Sequence, residues 1–410
     1  MKRTFAPLAV AAAMFILGFT NTVSVRAAAG KVIVPDSSVA HPGDAGVRMH
    51  TNFMIYQADD VRHENSPGST WETPGSMACV YAIGPYPTGI NPCPISSSAP
   101  NLSGGGGTIA LVDAYDNPDA ATDISTFSSY WGLPAANFTK VYAQGKKPAN
   151  NPGGWSIEEA LDIEWAHAMA PNANIILVEA LQPTDADLFA AENTAASMVA
   201  AGGGGEVSNS WSGSEFAKET SDDAKYFNTA GVVYFASAGD DGGVGYPSTS
   251  PNVVSAGGTR VNRTSGDFTS EVVWNDSYGE TGGGPSKYEA LPSYQSGIVS
   301  GTKRGTPDYS FNASPNSGVA MYDADGGYDW IQVGGTSVSS PSLAGIVNSA
   351  GNFYTSTAIE QGVLYSGDVG GVINPNIFRD ITSGSCKGYS AGPGWDFCSG
   401  LGSNQTLTGK

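Results

Sequence analysis

Trp330-Ile331-Gln332-Val333-Gly334-Gly335-Thr336-Ser337-Val338-Ser339-Ser340-Pro341 is the stretch on which the fold turns. Its first four residues form an apolar strand run, and the glycine pair permits a tight turn. The apolar pattern resumes at Leu343, Ile346 and Val347. That order writes a strand, a turn and a helix, with Ser337 presented at the turn. A serine hydroxyl is a weak nucleophile at its own pKa and needs an adjacent base. The usual base is histidine, and the chain has only His41, His50, His63 and His167.

Upstream of this turn, continuous apolar runs alternate with helical patterns. Residues 108–112, 175–178, 206–208, 232–235 and 253–254 read as strands. Residues 156–170, 188–201 and 215–229 read as helices. Unbroken apolar strands separated by helices predict an α/β fold, a mostly parallel central sheet covered by helices on both faces. The stretch 259–327 is rich in aromatic residues and glycine and gives no clear period.

The helix expected over 156–170 carries four acidic residues, Glu158, Glu159, Asp162 and Glu164. Ser156 with Glu159 fits a capping box, and Pro171 marks the stop. At 100° per residue, with Glu158 at zero, Asp162 falls at about +40°, Trp165 at about −20° and Met169 at about +20°. Glu158 and Asp162 therefore share an apolar, inward stripe, whereas His167 falls at about 180°. Carboxylates on such a stripe are costly to bury unless hydrogen-bonded or chemically employed. Two at i, i+4 repel, which raises the pKa of one and favours sharing a proton. An acidic first turn favoured by the helix dipole is the bland account of the same residues.

Composition bounds the class. Glycine and proline make up about 19% of the 410 residues, which fits a loop-rich globular chain. Lys2 and Arg3 precede an apolar stretch from Leu8 to Phe19, and Val25-Arg26-Ala27-Ala28-Ala29 offers small-residue cleavage sites. Residues 1–29 thus read as a signal peptide cut near Ala27–Ala29, and the chain as secreted. No later segment is long and apolar enough to span a bilayer. Without the three basic residues of 1–29, 16 basic face 38 acidic residues, a net of −22. That charge disfavours nucleic acid as a partner, and it builds little positive self-repulsion in acid. Cys79 with Cys93 and Cys386 with Cys398 form two short-range pairs; in a secreted chain the default is two disulfides. Residues 30–100 are read as a short N-terminal segment, a reduced pro-region or extension, and 101–410 as the main body.

Three elements occur together in one order: Glu158…Asp162, Ala238-Gly239-Asp240 after an apolar strand, and Gly335-Thr336-Ser337 before Pro341. With Thr108–Asp116, Thr281-Gly282-Gly283-Gly284-Pro285-Ser286 and Thr306-Pro307-Asp308, this set resembles the sedolisins, the serine-carboxyl peptidases of subtilisin-like fold. The resemblance covers roughly residues 73–404. It implies a secreted, acid-acting endopeptidase with protein or peptide substrates, expected as a monomer. It assigns Ser337 as nucleophile, Glu158 as base, Asp162 as the group orienting Glu158, and Asp240 as an oxyanion donor, with adjacent Asp241 competing for that last place. It further implies a C-terminal Ca²⁺ site built from Asp380, Asp396 and the carbonyls of Ile381, Gly392 and Gly394, an all-oxygen set suited to a hard cation. Ser210, Trp211 and Gly213 would line the substrate cleft, with plain packing the competing role for Trp211. Asp113 stands where a subtilisin carries its catalytic aspartate and is read as structural. Two alternatives remain at this stage: a subtilisin-type neutral protease using His167, and a catalytically silent secreted binding protein on the same fold.

Overall fold

The computed structural model describes residues 31–57, 66–83, 93–96 and 103–410. The signal peptide expected at residues 1–29 and His63 lie outside the described residues. A ten-stranded sheet forms the centre. Its neighbouring strands run Phe378–Arg379, Ser403–Asn404, Tyr309–Asn312, Val253–Thr264, Val232–Ser237, Gly205–Asn209, Thr108–Ala114, Asn174–Ala180 and Asn137–Tyr142, with Asp267–Val273 paired to Val253–Thr264. From Tyr309–Asn312 to Asn137–Tyr142 every pairing along this path is parallel.

The alternation of side chains along a strand divides the interior into two cores. Ile109 and Leu111 point to the same side as Leu161, Trp165 and Val338. Ala110 and Val112 point the other way, to Leu188, Val199 and Trp211. The first core holds the helices Trp155–Met169 and Thr336–Ala350; the second holds Asp185–Ala201. The expected α/β architecture is the one observed, with helices on both faces.

The two helices of the first core carry Glu158 and Ser337, and they approach closely at a glycine. A Cβ on Gly345 would stand 2.7 Å from the Cβ of Met169 and 2.9 Å from the Ala166 carbonyl oxygen. Gly345→Val therefore forces the helices apart and is expected to cost about 1–3 kcal/mol. Urea unfolding reads this as a lowered midpoint; an unchanged midpoint would show that the contact tolerates a larger side chain.

Three local expectations need correction. The capping box of Ser156 and Glu159 is not formed, because the helix starts at Trp155 with Gly154 as its N-cap, and Asn151 Oδ1 accepts the Trp155 N–H at 2.9 Å. Glu159 lies one turn in and is fully buried. The helix expected over 215–229 is shortened to Glu219–Tyr226, since the Glu219 carboxylate turns back to accept the Phe216 N–H at 2.7 Å. The helix expected from 188 begins at Asp185, capped by Thr184. Helices Ala120–Trp131 and Thr357–Tyr365 were not anticipated.

Both cysteine pairs are joined, Cys79 to Cys93 and Cys386 to Cys398. The N-terminal segment is woven into the body. Lys31–Ile33 and Met54–Gln57 join Asp329–Gly334 and Val319–Asp323 in a four-stranded antiparallel sheet. His50–Thr51 pairs antiparallel with Trp211–Ser212. The strand that leads into the Ser337 turn thus receives its neighbour from residues before 60.

Candidate active site

The turn before Ser337 needs glycine. Gly335 has φ 116° and ψ 161°, which an L side chain rarely adopts. A Cβ there would also strike the Asn52 carbonyl oxygen and stand 2.6 Å from Asp240 Oδ2. Thr336 then ties the turn to the end of strand Val232–Ser237. Its N–H and its hydroxyl both donate to Asp240 Oδ1 at 2.8 Å, and its Oγ1 accepts the Gly239 N–H at 3.0 Å. Ser337 is the second residue of its helix, where backbone N–H groups and the helix dipole favour negative charge.

Ser337 Oγ donates to Glu158 Oε2 at 2.9 Å, with the Ser210 carbonyl also in reach at 3.1 Å. Asp162, one turn along from Glu158, meets Ser210 Oγ at 2.7 Å. Ser210 Oγ also lies 3.3 Å from the Ser337 carbonyl, whose helical N–H partner is missing because Pro341 has none. One hydroxyl has one proton, so Ser210 satisfies both contacts only if Asp162 itself carries a proton and donates. The electrostatics agree. Burial holds the Asp162 carboxyl well above the ordinary range, and Asp113 adds to this. Burial raises Glu158 likewise, with Asp162 and Asp113 adding repulsion and the Ser337 hydroxyl opposing it. Glu158 Oε1, Asp162 Oδ2 and both Asp113 oxygens are buried without hydrogen-bond partners, as expected of carboxylates that carry or exchange protons.

Asp240 is pushed up to about 8, chiefly by burial, against the two bonds from Thr336. It is therefore protonated in acid. Since Oδ1 already accepts two donors, the proton belongs on Oδ2, which has no partner and faces the Gly335 turn. Asp241 is exposed, whereas Asp240 is buried and takes both bonds from Thr336, so the two neighbours are not interchangeable. No histidine reaches Ser337 by hydrogen bond among the described residues. His167 is buried at the far side of its helix, its Nε2 3.0 Å from the Pro134 carbonyl, and burial lowers it to about 4.

The other sequence-predicted residues separate. Ser210 is in the site, as described. Trp211 is not at the cleft: its side chain is fully buried in the second core, and its indole N–H donates to the Val112 carbonyl at 2.8 Å. Gly213 lines a cavity of about 260 Å³ together with His50, Ser212, Asp240 and Val244. Asp380 and Asp396 bracket one glycine-rich turn, Asp380 Oδ2 accepting the Gly394 N–H and Asp396 Oδ2 the Gly392 N–H, both at 3.1 Å. Among the described residues no group of three or more His, Cys, Asp or Glu side chains is placed to hold a metal ion.

One residue that sequence reading missed touches Ser337 twice. Asn52 donates its N–H to Ser337 Oγ at 3.1 Å and accepts the Ser337 N–H on its carbonyl at 3.0 Å. Its side chain is held by Ser237 Oγ at 2.7 Å and Ser212 Oγ at 3.1 Å. Nothing local marks it: it lies 285 positions from Ser337 in a Pro-, Gly- and Ser-rich segment.

Fold and site together define a subtilisin-like α/β protein whose buried serine is met by carboxylates instead of histidine. No protein-family model matches the chain. It is 32% identical over 357 residues to kumamolisin of Bacillus sp. (strain MN-32), covering 77% of this chain and 62% of that protein. It is 37% identical over 205 residues to sedolisin of Pseudomonas sp. (strain 101), covering 42% and 33%. The chain thus spans less than two thirds of the length of either curated relative. The solved Pseudomonas sedolisin, described as a serine-carboxyl proteinase, superposes with a TM-score of 0.67 at 26% identity over 83% of this chain and 96% of that one. In sequence and in fold the chain is similar to the sedolisin family.

Proposed function

We propose that the chain is an acid-acting serine-carboxyl endopeptidase, secreted, with proteins or peptides as substrates. The observation that carries this reading is the 2.9 Å bond from Ser337 Oγ to the buried Glu158 carboxylate. Ser337 attacks the substrate carbonyl while Glu158 takes its proton and later returns it to the leaving amine. Asp162 holds the proton that keeps a single negative charge on the Glu158–Asp162 pair. The Ser337 N–H and the protonated Asp240 Oδ2 face the carbonyl oxygen as it becomes an oxyanion. Hydrolysis of a denatured protein and of short peptides, followed from pH 2 to pH 8, tests the reading. Cleavage best near neutrality would favour a histidine-based protease. Cleavage at no pH would favour a silent scaffold.

Calcium belongs to the same proposal. The two carboxylates of Asp380 and Asp396 face one glycine-rich turn and, with the carbonyls of Ile381, Gly392 and Gly394, supply a hard oxygen set. That set fits Ca²⁺; the ion would brace the turn closed by Cys386–Cys398 and take no part in the chemistry. Added Ca²⁺ is expected to raise the melting temperature and a chelator to lower it, the ion adding about 2.7 kcal/mol to the unfolding free energy when it is free at a hundredfold above its Kd. Asp396→Asn should abolish that response in calorimetry; an unchanged response would remove the site.

A further inference from the structure

Four carboxyl groups meet between the helix Glu219–Tyr226 and the strand Gly284–Ala290. Asp223 and Glu289 are hydrogen-bonded to each other, and so are Glu215 and Glu219. Two carboxylates cannot bond one another, so each pair needs a proton. Burial raises Asp223 to about 6 and Glu289 to about 8; the bond between them adds to the rise in Glu289 and opposes that in Asp223, which places the proton on Glu289. Among the described residues none of the four is in an ion pair with a lysine or arginine. This cluster is tied to the loop 239–246, which contains Asp240 and lines the cavity of about 260 Å³. At one end the Tyr246 hydroxyl donates to Asp223 Oδ1 at 3.1 Å, and Tyr246 exchanges both backbone bonds with Gly213 at 2.9 Å. At the other, the N–H groups of Gly282 and Gly283 donate to the carbonyls of Gly239 and Gly243 and lead directly into the strand that carries Glu289. The Asp223–Glu289 bond closes this ring behind the loop.

We propose that Asp223 and Glu289 are positioning residues, a clasp that holds the loop 239–246 in its working place only while the two carboxyls share a proton. The inference rests on the peptidase reading above and adds that, as pH rises, the grip on peptide fails before the chemical step. Separated carboxyls titrate near 4. The clasp is therefore complete below about pH 4, and closure is lost as pH passes through about 6 and then about 8. Two adjacent carboxylates then repel. The surroundings add to this repulsion. Asp222 faces Asp223, Glu215 faces Glu289, and Glu219 lies beside both Glu215 and Glu289. The phenols of Tyr246 and Tyr294 bring no positive charge. Lys303, on the strand paired with Gly284–Ala290, is turned to the Tyr288 carbonyl at 2.9 Å, and exposed Lys287 lies nearer to Glu215 and Glu219. Once the ring opens, Tyr246 loses its anchor, and its pairing with Gly213 loosens with it.

The test uses the full chain and two readouts from pH 4 to pH 8. One is hydrogen exchange, by mass spectrometry, of the segments containing Gly213 and Tyr246, corrected for the intrinsic rise of exchange with pH. The other is KM and kcat for hydrolysis of a short peptide. In wild type, corrected exchange and KM should each rise about tenfold between pH 5 and pH 8, because the closed and loosened forms differ by a bound proton. Glu289→Gln keeps the size and donates its amide N–H to Asp223 at every pH, so both rises should disappear. Glu289→Ala offers no donor and should raise KM about tenfold already at pH 5. Because the Ala variant can fold poorly, wild type and the Gln variant decide the matter. Flat exchange in wild type, or a rise that Glu289→Gln leaves unchanged, overturns the inference and leaves the peptidase reading standing. Exchange that responds while KM does not also overturns it, since the clasp would then not position the cleft. Hydrolysis at no pH removes the peptidase reading and the claim on the cleft with it, and exchange alone then shows whether the clasp opens.

Discussion

Ser337→Ala should lower the rate of peptide hydrolysis in acid by about 10⁴–10⁶, leaving only what binding and the oxyanion donors supply. Glu158→Gln should cost about 10³–10⁴, because the amide keeps the size and the contact with Ser337 Oγ but cannot take the proton. The double variant should be scarcely worse than Ser337→Ala, since a base without a nucleophile has nothing to deprotonate. Asp240 gives the discriminating control. Asp240→Ala removes a donor to the oxyanion and should cost about 10²–10³. Asp240→Asn retains a donor, so it should keep far more activity and also lose the part of the alkaline decline that follows Asp240 ionising near pH 8. These are measured as kcat and KM across pH 2 to 8. Indifference to Glu158→Gln would show that the 2.9 Å bond is not the catalytic one.

The nucleophile turn was legible because its constraint is local. Gly335 must take a positive φ, and that requirement is written into the sequence as a glycine pair before Thr336 and Ser337. The shared stripe of Glu158 and Asp162 was legible because helical periodicity alone places them together, and the same arithmetic sent His167 to the far side. What periodicity could not show is that this helix has no wet face: every residue from Trp155 to Met169 is buried, His167 included. It packs against Thr336–Ala350, Ala120–Trp131, the central sheet and the strand Val319–Asp323, which the local pattern does not encode. Trp211 was ambiguous for a related reason. Alternation along a strand turns its indole into the second core while its backbone still pairs with Thr51. Asn52 and Ser237 were invisible, because their relation to Ser337 is created entirely by long-range pairing, and lone small polar residues carry no pattern of their own.

Stability should peak in acid and fall as pH rises towards 8. Burial above all raises Asp123 to about 7 and Glu179, Asp240, Asp323 and Glu360 to about 8 in the folded chain. Unfolded, such groups titrate near 4. Between those limits the folded state binds more protons than the unfolded one, so unfolding free energy decreases with rising pH. Their contribution is complete below about pH 4 and is lost as pH passes through the folded values. Some groups run the other way. His167, lowered to about 4 by burial, is destabilising as pH drops below its unfolded value. Lys410, lowered to about 7 by burial despite Glu360, favours the folded state at higher pH. In Asp116, burial is outweighed by Lys140 and Lys147, which lower it and favour folding above its unfolded value. The raised carboxylates outnumber these and include the site pair Glu158 and Asp162. A melting temperature at pH 4 higher than at pH 8 by on the order of 10 °C is expected, from a few kcal/mol spread over a chain of this size. Calorimetry at fixed ionic strength reads it, and Glu360→Gln should flatten the curve near pH 8 by removing one of the protons concerned. A melting temperature that collapses between pH 6 and pH 4 would mean that the buried carboxyls are held ionised in the folded chain, and acid would then be the wrong medium for Asp240 and for Ser337.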